Sequence, residues 1–302
     1  MTDAARIPPL APEFDSRVLR DVPLAPHTSW RVGGPADLYF VPRDLRDLGA
    51  FLRQLPPQVP VLWIGLGSNL LVRDGGFRGA VIMTHGALGS LARASESGVH
   101  AAAGVPCARV ARPCATWGLG SAEFLAGIPG TLGGALAMNA GAWGDETWRH
   151  VSEVDTIDRH GVMRTRGPGD YHIGYRSVQG PRDEWFVAAR LQFPAQPDVP
   201  ADAIRELLER RRRTQPIGEW SCGSVFTNPP GDHAARLIEA AGLKSCRIGD
   251  AAVSEKHANF IINHGAARAA DIEALIRHVH ATVAAKFGVE LTPEVRIVGE
   301  PA

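Results

Sequence analysis

Apolar residues along this chain follow two rhythms. Spacing near 3.6 marks amphipathic helices, and short apolar or alternating runs between breakers mark strands. Leu45, Leu48, Phe51, Leu52 and Leu55 have helical spacing behind Asp44, a side chain suited to capping a helix start, and Pro56 and Pro57 stop the segment. Ile272, Leu275, Ile276, Val279, Val283 and Phe287 share one face of a helix predicted over 270–287 and closed by Gly288. Further helices are expected over 105–117, with Pro113 inside it, over the charge-rich 202–213, and over 233–241 before Gly242. Strands are expected over 36–41, 59–66, 70–72, 80–83 and 99–103, then over 154–158, 161–166 and 185–193, with 289–298 closing the chain. The β-α-β opening with its glycine loop is an α+β or α/β pattern, and from Val151 the pattern changes to antiparallel strands. Pro194, Pro197 and Pro200 suggest a stiff linker and a domain boundary.

The helical and strand patterns are interrupted by two glycine loops. Gly65-Leu66-Gly67-Ser68-Asn69 follows the apolar run 59–66, and the stretch 123–144 carries glycine at 127, 130, 133, 134, 141 and 144 with almost no charge. Glycine lets a ligand approach bare backbone, and two such loops suit a large phosphorylated ligand. Neither matches the wording of a Rossmann or Walker phosphate loop.

Composition changes this picture little. The chain has 302 residues, is 45% hydrophobic and 21% charged, and its formal net charge is zero. Bulk charge therefore offers nothing to nucleic acid or an anionic membrane, and an anionic substrate needs local cations. The cysteines at 107, 114, 222 and 246 show no C-x-x-C or zinc-ligand spacing, so free thiols in a reducing cytoplasm and no metal are expected. The first twelve residues have no signal-peptide apolar core. The nearest approach to a membrane span, 122–142, is broken by Pro129 and its glycines, which fit a ligand loop and a short helix instead.

The two loops occur in order with Gly174-Tyr175-Arg176-Ser177, with the run Cys222-Gly223-Ser224-Val225-Phe226-Thr227-Asn228-Pro229 and with Pro293-Glu294-Val295-Arg296. In that order they resemble the UDP-N-acetylenolpyruvoylglucosamine reductase family, over nearly the whole chain from about His27 to Glu300. Residues 1–20 read as a mobile tail, and the resemblance implies an α+β fold after it: a bipartite FAD-binding unit of the vanillyl-alcohol-oxidase type in subdomains 21–86 and 87–197, then an α+β substrate-binding domain at 198–302. It implies non-covalent FAD, NADPH as co-substrate and a UDP-sugar substrate of peptidoglycan precursor synthesis. No tyrosine lies between Arg176 and Ser224, so the chain is similar to the form of the family without a tyrosine-bearing closing loop. Two positions depart from the family pattern: His27 stands where it has Asn, and Val178 where it has Ser.

Residue roles follow from the same resemblance. Ser224 is the expected proton donor, against the alternative of a turn serine. Arg176, a permanently charged planar fork, is expected to hold the substrate carboxylate, and Glu294 to act with it, against the alternative of an ion pair with Arg296. Arg31, Gly65, Gly67, Ser68, Asn69, Ile128, Pro129, Gly130, Thr131, Gly133, Gly134 and Asn139 are the expected cofactor contacts. Tyr175, Arg213, Asn228 and His257 are the expected substrate contacts. For His257, and for Asn259 beside it, a packing role is an equal alternative, and which arginine of the run 210–213 meets the diphosphate is open. Two other readings stand beside the reductase: an FAD-dependent alcohol or sugar oxidase, and a nucleotide-binding regulatory module.

Overall fold

The computed structural model describes residues 10–196 and 202–302. The chain divides into two compact units, each built from separated stretches. The first contains the described residues up to Arg20, Leu38–Leu66 and Gly79–Glu209, and the second contains Asp21–Asp37, Gly67–Arg78 and Arg210–Ala302. The expected linear succession 21–86, 87–197, 198–302 therefore does not match the contact pattern. Pro197 and Pro200 of the expected linker lie outside the described residues, and the division falls between Glu209 and Arg210 instead.

In the first unit, helix α1 (Leu45–Gln54) starts at Asp44, whose carboxylate accepts the Asp47 amide, as its sequence position predicts. Strand Val61–Ile64 pairs in parallel with the strand ending at Met83, Val61 opposite Ala80. An antiparallel five-stranded sheet has the order Met163–Arg166, Val151–Asp158, Glu184–Gln192, Gly98–Ala102, Leu91–Arg93. Helices α2 (Cys107–Thr116) and α3 (Leu132–Met138) belong to the same core, and α3 lies against strands Gly98–Ala102 and Glu184–Gln192.

The part of the expected mobile tail that is described, from Leu10 onward, is ordered into this core. Phe14 is 1% exposed and meets the rings of Phe40 and Phe51 at 5.8 Å between centroids, and Arg17 pairs with Asp47. A buried aromatic and a charge-assisted bond outweigh the prior that chain ends fray. Residues 1–9 of that tail lie outside the described residues.

Helix α4 (Ala203–Thr214) leads into the second unit. There, α5 (Ala234–Ala240) and α6 (Ala269–Phe287) form one apolar core with a small antiparallel sheet of Arg247–Ile248, Ala251–Val253 and Ile261–Asn263. Trp30 is fully buried in it. Its indole N–H donates to Ile261 O at 2.7 Å, and its own carbonyl accepts from Asn263 Nδ2 at 2.8 Å. The expected closing strand 289–298 is short. Only Arg296–Val298 is a strand, parallel to Leu70–Val72. Pro293 has no N–H to offer a ladder, and Glu294 N donates across to Val225 O.

Candidate active site

The first unit brings its two glycine segments into contact. Gly65 packs directly on Thr131, and a Cβ at Gly65 would lie 2.2 Å from Thr131 Oγ1 and 2.8 Å from Cγ2. Thr131 is itself 2% exposed, so it has no room to retreat. The loop carrying it is held edgewise by the chain at Ala103–Cys107. Cys107 N donates to Gly130 O at 2.9 Å, Leu132 N to Val105 O at 2.8 Å, and Gly133 N to Ala103 O at 2.8 Å. Gly133 is thus small because Ala103 lies against it, while Gly134 is exposed, with only Thr131 Oγ1 near its Cβ position. Ile128 is buried and Pro129 exposed at the mouth of this loop.

Arg176 sits at the two-residue turn of a hairpin, His172–Gly174 with Ser177–Gln179. Its φ is +53°, a left-handed conformation that costs a non-glycine residue energy and recurs at functional sites. The guanidinium donates to Gly141 O at 2.8 Å and to Asn139 O at 3.3 Å, lies 3.7 Å from Glu146, and stacks 5.0 Å above the half-exposed Tyr175 ring. Asn139 is the left-handed cap of α3. Its side chain is engaged inside the protein: Nδ2 donates to Glu146 and to Gly174 O, both at 3.0 Å, and Oδ1 accepts from Trp148 N. Asn139 therefore ties the glycine segment to the hairpin that carries Arg176. Glu146 was not among the residues singled out from sequence; the neighbouring turn Gly141-Ala142-Trp143-Gly144 was the available signal.

The second unit brings together Ser224, Glu294 and the Gly67–Asn69 turn. The segment around Ser224 runs beside 292–294: Phe226 bridges Pro293, Thr227 N donates to Thr292 O at 2.9 Å, and Val225 O accepts from Glu294 N at 2.8 Å. Asn69 Nδ2 donates to Glu294 O at 3.0 Å, and Arg296 N to Asn69 O at 3.1 Å. Gly67 has φ +61° and passes so close to His27 that a Cβ would lie 2.1 Å from His27 O. The N–H groups of Gly67 and Ser68, and the Ser68 hydroxyl, meet no acceptor among the described residues. A turn of undersatisfied amides around a left-handed glycine is a nest for an anion. Diphosphate oxygens are acceptors of the right kind, so the residues present fit a dinucleotide cofactor at this loop.

Ser224 is half-buried, and its hydroxyl has no partner among the described residues. Gly223 before it has φ +72°. Asn228 is exposed and its Oδ1 accepts the Ala234 amide at the start of α5. Burial lowers the His257 imidazole below its ordinary value and so keeps it neutral. Its Nδ1 is buried with no partner among the described residues, and its ring meets Phe260 edge-on at 4.9 Å. Within the arginine run, Arg213 is exposed while Arg211 is half-buried, bonded to Gln215 at 3.0 Å, with its affinity for the proton lowered by desolvation. Arg31 is exposed, with φ +59°, and its guanidinium donates to Pro26 O at 2.6 Å. Burial pushes the Cys107, Cys114 and Cys222 thiols up to about 12, which keeps them protonated and unreactive.

Comparison with known proteins places this geometry. Residues 36–166 match a profile described as an FAD binding domain, and residues 215–298 match one described as the C-terminal domain of UDP-N-acetylenolpyruvoylglucosamine reductase. A protein of that name from Alkalilimnicola ehrlichii is 62% identical over 279 residues, covering 92% of this chain and 93% of the relative. One from Legionella pneumophila (strain Paris) is 52% identical, covering 95% and 96%. The crystal structure of UDP-N-acetylenolpyruvylglucosamine reductase from Thermus caldophilus superposes with a TM-score of 0.80 at 32% identity, over 94% of this chain and 99% of that one. With more than half of its residues shared across nearly the full length of such relatives, the chain belongs to the UDP-N-acetylenolpyruvoylglucosamine reductase family.

Proposed function

We propose that this protein is an FAD-dependent enzyme that reduces the enolpyruvyl ether of UDP-N-acetylglucosamine to the lactyl ether at the expense of NADPH, in the cytoplasm. The observation that carries the reading is the joint placement of Ser224 and Glu294 around Val225, beside the amide nest at Gly67–Asn69. The balance is simple: NADPH supplies a hydride equivalent, solvent supplies a proton, and the C=C bond becomes C–C. FAD, when bound there without a covalent tether, would supply the hydride chemistry that links the two substrates.

The chain's own residues do the rest. The amides of Gly65–Ser68 and the Ser68 hydroxyl would hold the cofactor's diphosphate, and the turn at Gly130–Gly134 offers bare backbone. Arg176 forks onto the substrate carboxylate and stabilises the enolate-like charge that builds there once the β carbon is reduced. Its two backbone carbonyl anchors keep the fork oriented before substrate arrives. Ser224 delivers the proton to the α carbon, and Glu294 balances Arg176 or feeds that proton. Tyr175, Asn228, His257 and Arg213 are the proposed UDP-sugar contacts. A neutral His257 fits a hydrogen bond to the sugar or base better than an ion pair.

The test is spectroscopic. The purified protein should be yellow, NADPH should bleach it without oxygen, and the enolpyruvyl substrate should restore the colour. Acid precipitation should leave all colour in the supernatant. Bleaching by an alcohol or sugar, or colour retained in the pellet, would establish the oxidase reading instead.

A further inference from the structure

Ser224 lies in a segment with almost no regular structure. From Ser221 to Pro229 the backbone makes a single isolated bridge and no ladder. Gly223 immediately before it is left-handed, with nothing within 4 Å of its Cβ position. A hydroxyl on such a segment has no intrinsic reason to hold one place, yet proton delivery to carbon demands one. Backbone bonds to 292–294 hold one edge of the segment, and the side chain that holds it is Asn259.

Asn259 is 4% exposed, and every polar group that it directs at this segment is paired with it. Its Nδ2 donates to Phe226 O at 2.8 Å, its Oδ1 accepts from Phe226 N at 3.0 Å, and its backbone carbonyl accepts from Val225 N at 2.8 Å. One side chain thus closes on both the amide and the carbonyl of a single peptide residue, as a partner strand would. The carbonyl of Val225 in turn takes the Glu294 amide. The Cys222 thiol, on the other side of Ser224, donates weakly to Leu70 O at 3.4 Å. Asn259 is therefore the only side chain bonded to the backbone between Ser224 and Thr227 among the described residues, and its grip reaches Glu294 through Val225.

We infer that Asn259 is a positioning residue for proton delivery, acting through the Val225–Phe226 backbone to hold Ser224 and Glu294 in register. The inference rests on the donor role proposed for Ser224. The bland alternative is a buried asparagine that only satisfies two backbone groups. That role would affect stability, with no preference for one half of the catalytic cycle.

Asn259→Ala and the near-isosteric Asn259→Asp are the test, measured by stopped-flow absorbance alongside Ser224→Ala and the double variant Ser224→Ala/Asn259→Ala. Asp keeps an acceptor for Phe226 N–H and loses the donor for Phe226 O, so it disturbs the clamp with the least loss of packing. A displacement of about 1 Å costs on the order of 10²-fold. Flavin reoxidation by the enolpyruvyl substrate should therefore slow roughly 10- to 100-fold in both variants, with reduction by NADPH changed less than about twofold. In the Ser224→Ala background the second substitution should cost almost nothing further, because coupled residues are not additive. Amide exchange in the peptide spanning Val225–Thr227 should quicken in the same variants. Equal slowing of both half-reactions, or a full additive loss in the double variant, would show a structural asparagine and overturn the inference while leaving Ser224 as donor. Normal reoxidation in Ser224→Ala would overturn the donor role and this inference with it.

Discussion

Thr131 and Gly65, 66 positions apart in the chain, meet so closely that the pair leaves no volume for a single added carbon. The Cβ that Gly65 lacks would overlap the Thr131 hydroxyl and methyl. Overpacking of this kind costs about 1–3 kcal/mol. Gly65→Ala should lower the melting temperature and reduce the flavin-to-protein ratio on purification. Adding Thr131→Ala, which removes both overlapping atoms, should restore part of each. A Gly65→Ala protein with full flavin content would separate this contact from cofactor binding.

Arg176 is anchored by two carbonyls that only a fork can engage together. Lysine preserves charge without the planar geometry. Arg176→Lys should lose kcat on the order of 10²- to 10³-fold, within about tenfold of Arg176→Ala. Recovery of most of kcat by the lysine variant would mean that a point charge suffices.

Glu294 is tied by its backbone to Val225 and to Asn69. Glu294→Gln leaves those bonds in place and removes only the negative charge and the acidic proton. Turnover should fall roughly 10²- to 10⁴-fold, the range for a positioned acid or base, with the dissociation constant for the substrate little changed. A mere strand-end ion pair would instead contribute roughly 0–1 kcal/mol to stability and leave kcat alone.

Arg166 grips Glu184 with two bonds of 2.6 and 2.7 Å, and this, with the Thr156 hydroxyl, holds the carboxyl below its usual range. A carboxyl with a depressed folded-state pKa stabilises the protein above the unfolded pKa, and the contribution disappears as pH falls through the folded value. Melting temperature should therefore drop as pH is lowered below about 4.5, the ordinary value of a glutamate carboxyl. Glu184→Gln should melt lower near neutral pH and show a flatter acid limb. An unchanged acid limb would assign that transition to other carboxylates.

The local record in the chain was good. Asp44 as the cap of α1, the α6 face from Ile272 to Val283, and the strands around Val61, Ala80 and Val187 follow from patterning that acts over a few residues. The glycine loops and the Ser224 and Glu294 motifs were equally legible, because each is written in contiguous residues. What the sequence did not contain was the pairing of distant stretches. Residues 67–78 and 210–302 share one unit while 79–209 belong to the other. Phe14 joined a core instead of fraying, because Phe40 and Phe51 left an apolar place for it. Asn139 turned its amide to Glu146 and Gly174, and Asn259 closed on Phe226, because buried polar groups must find partners and only the folded chain determines which are in reach.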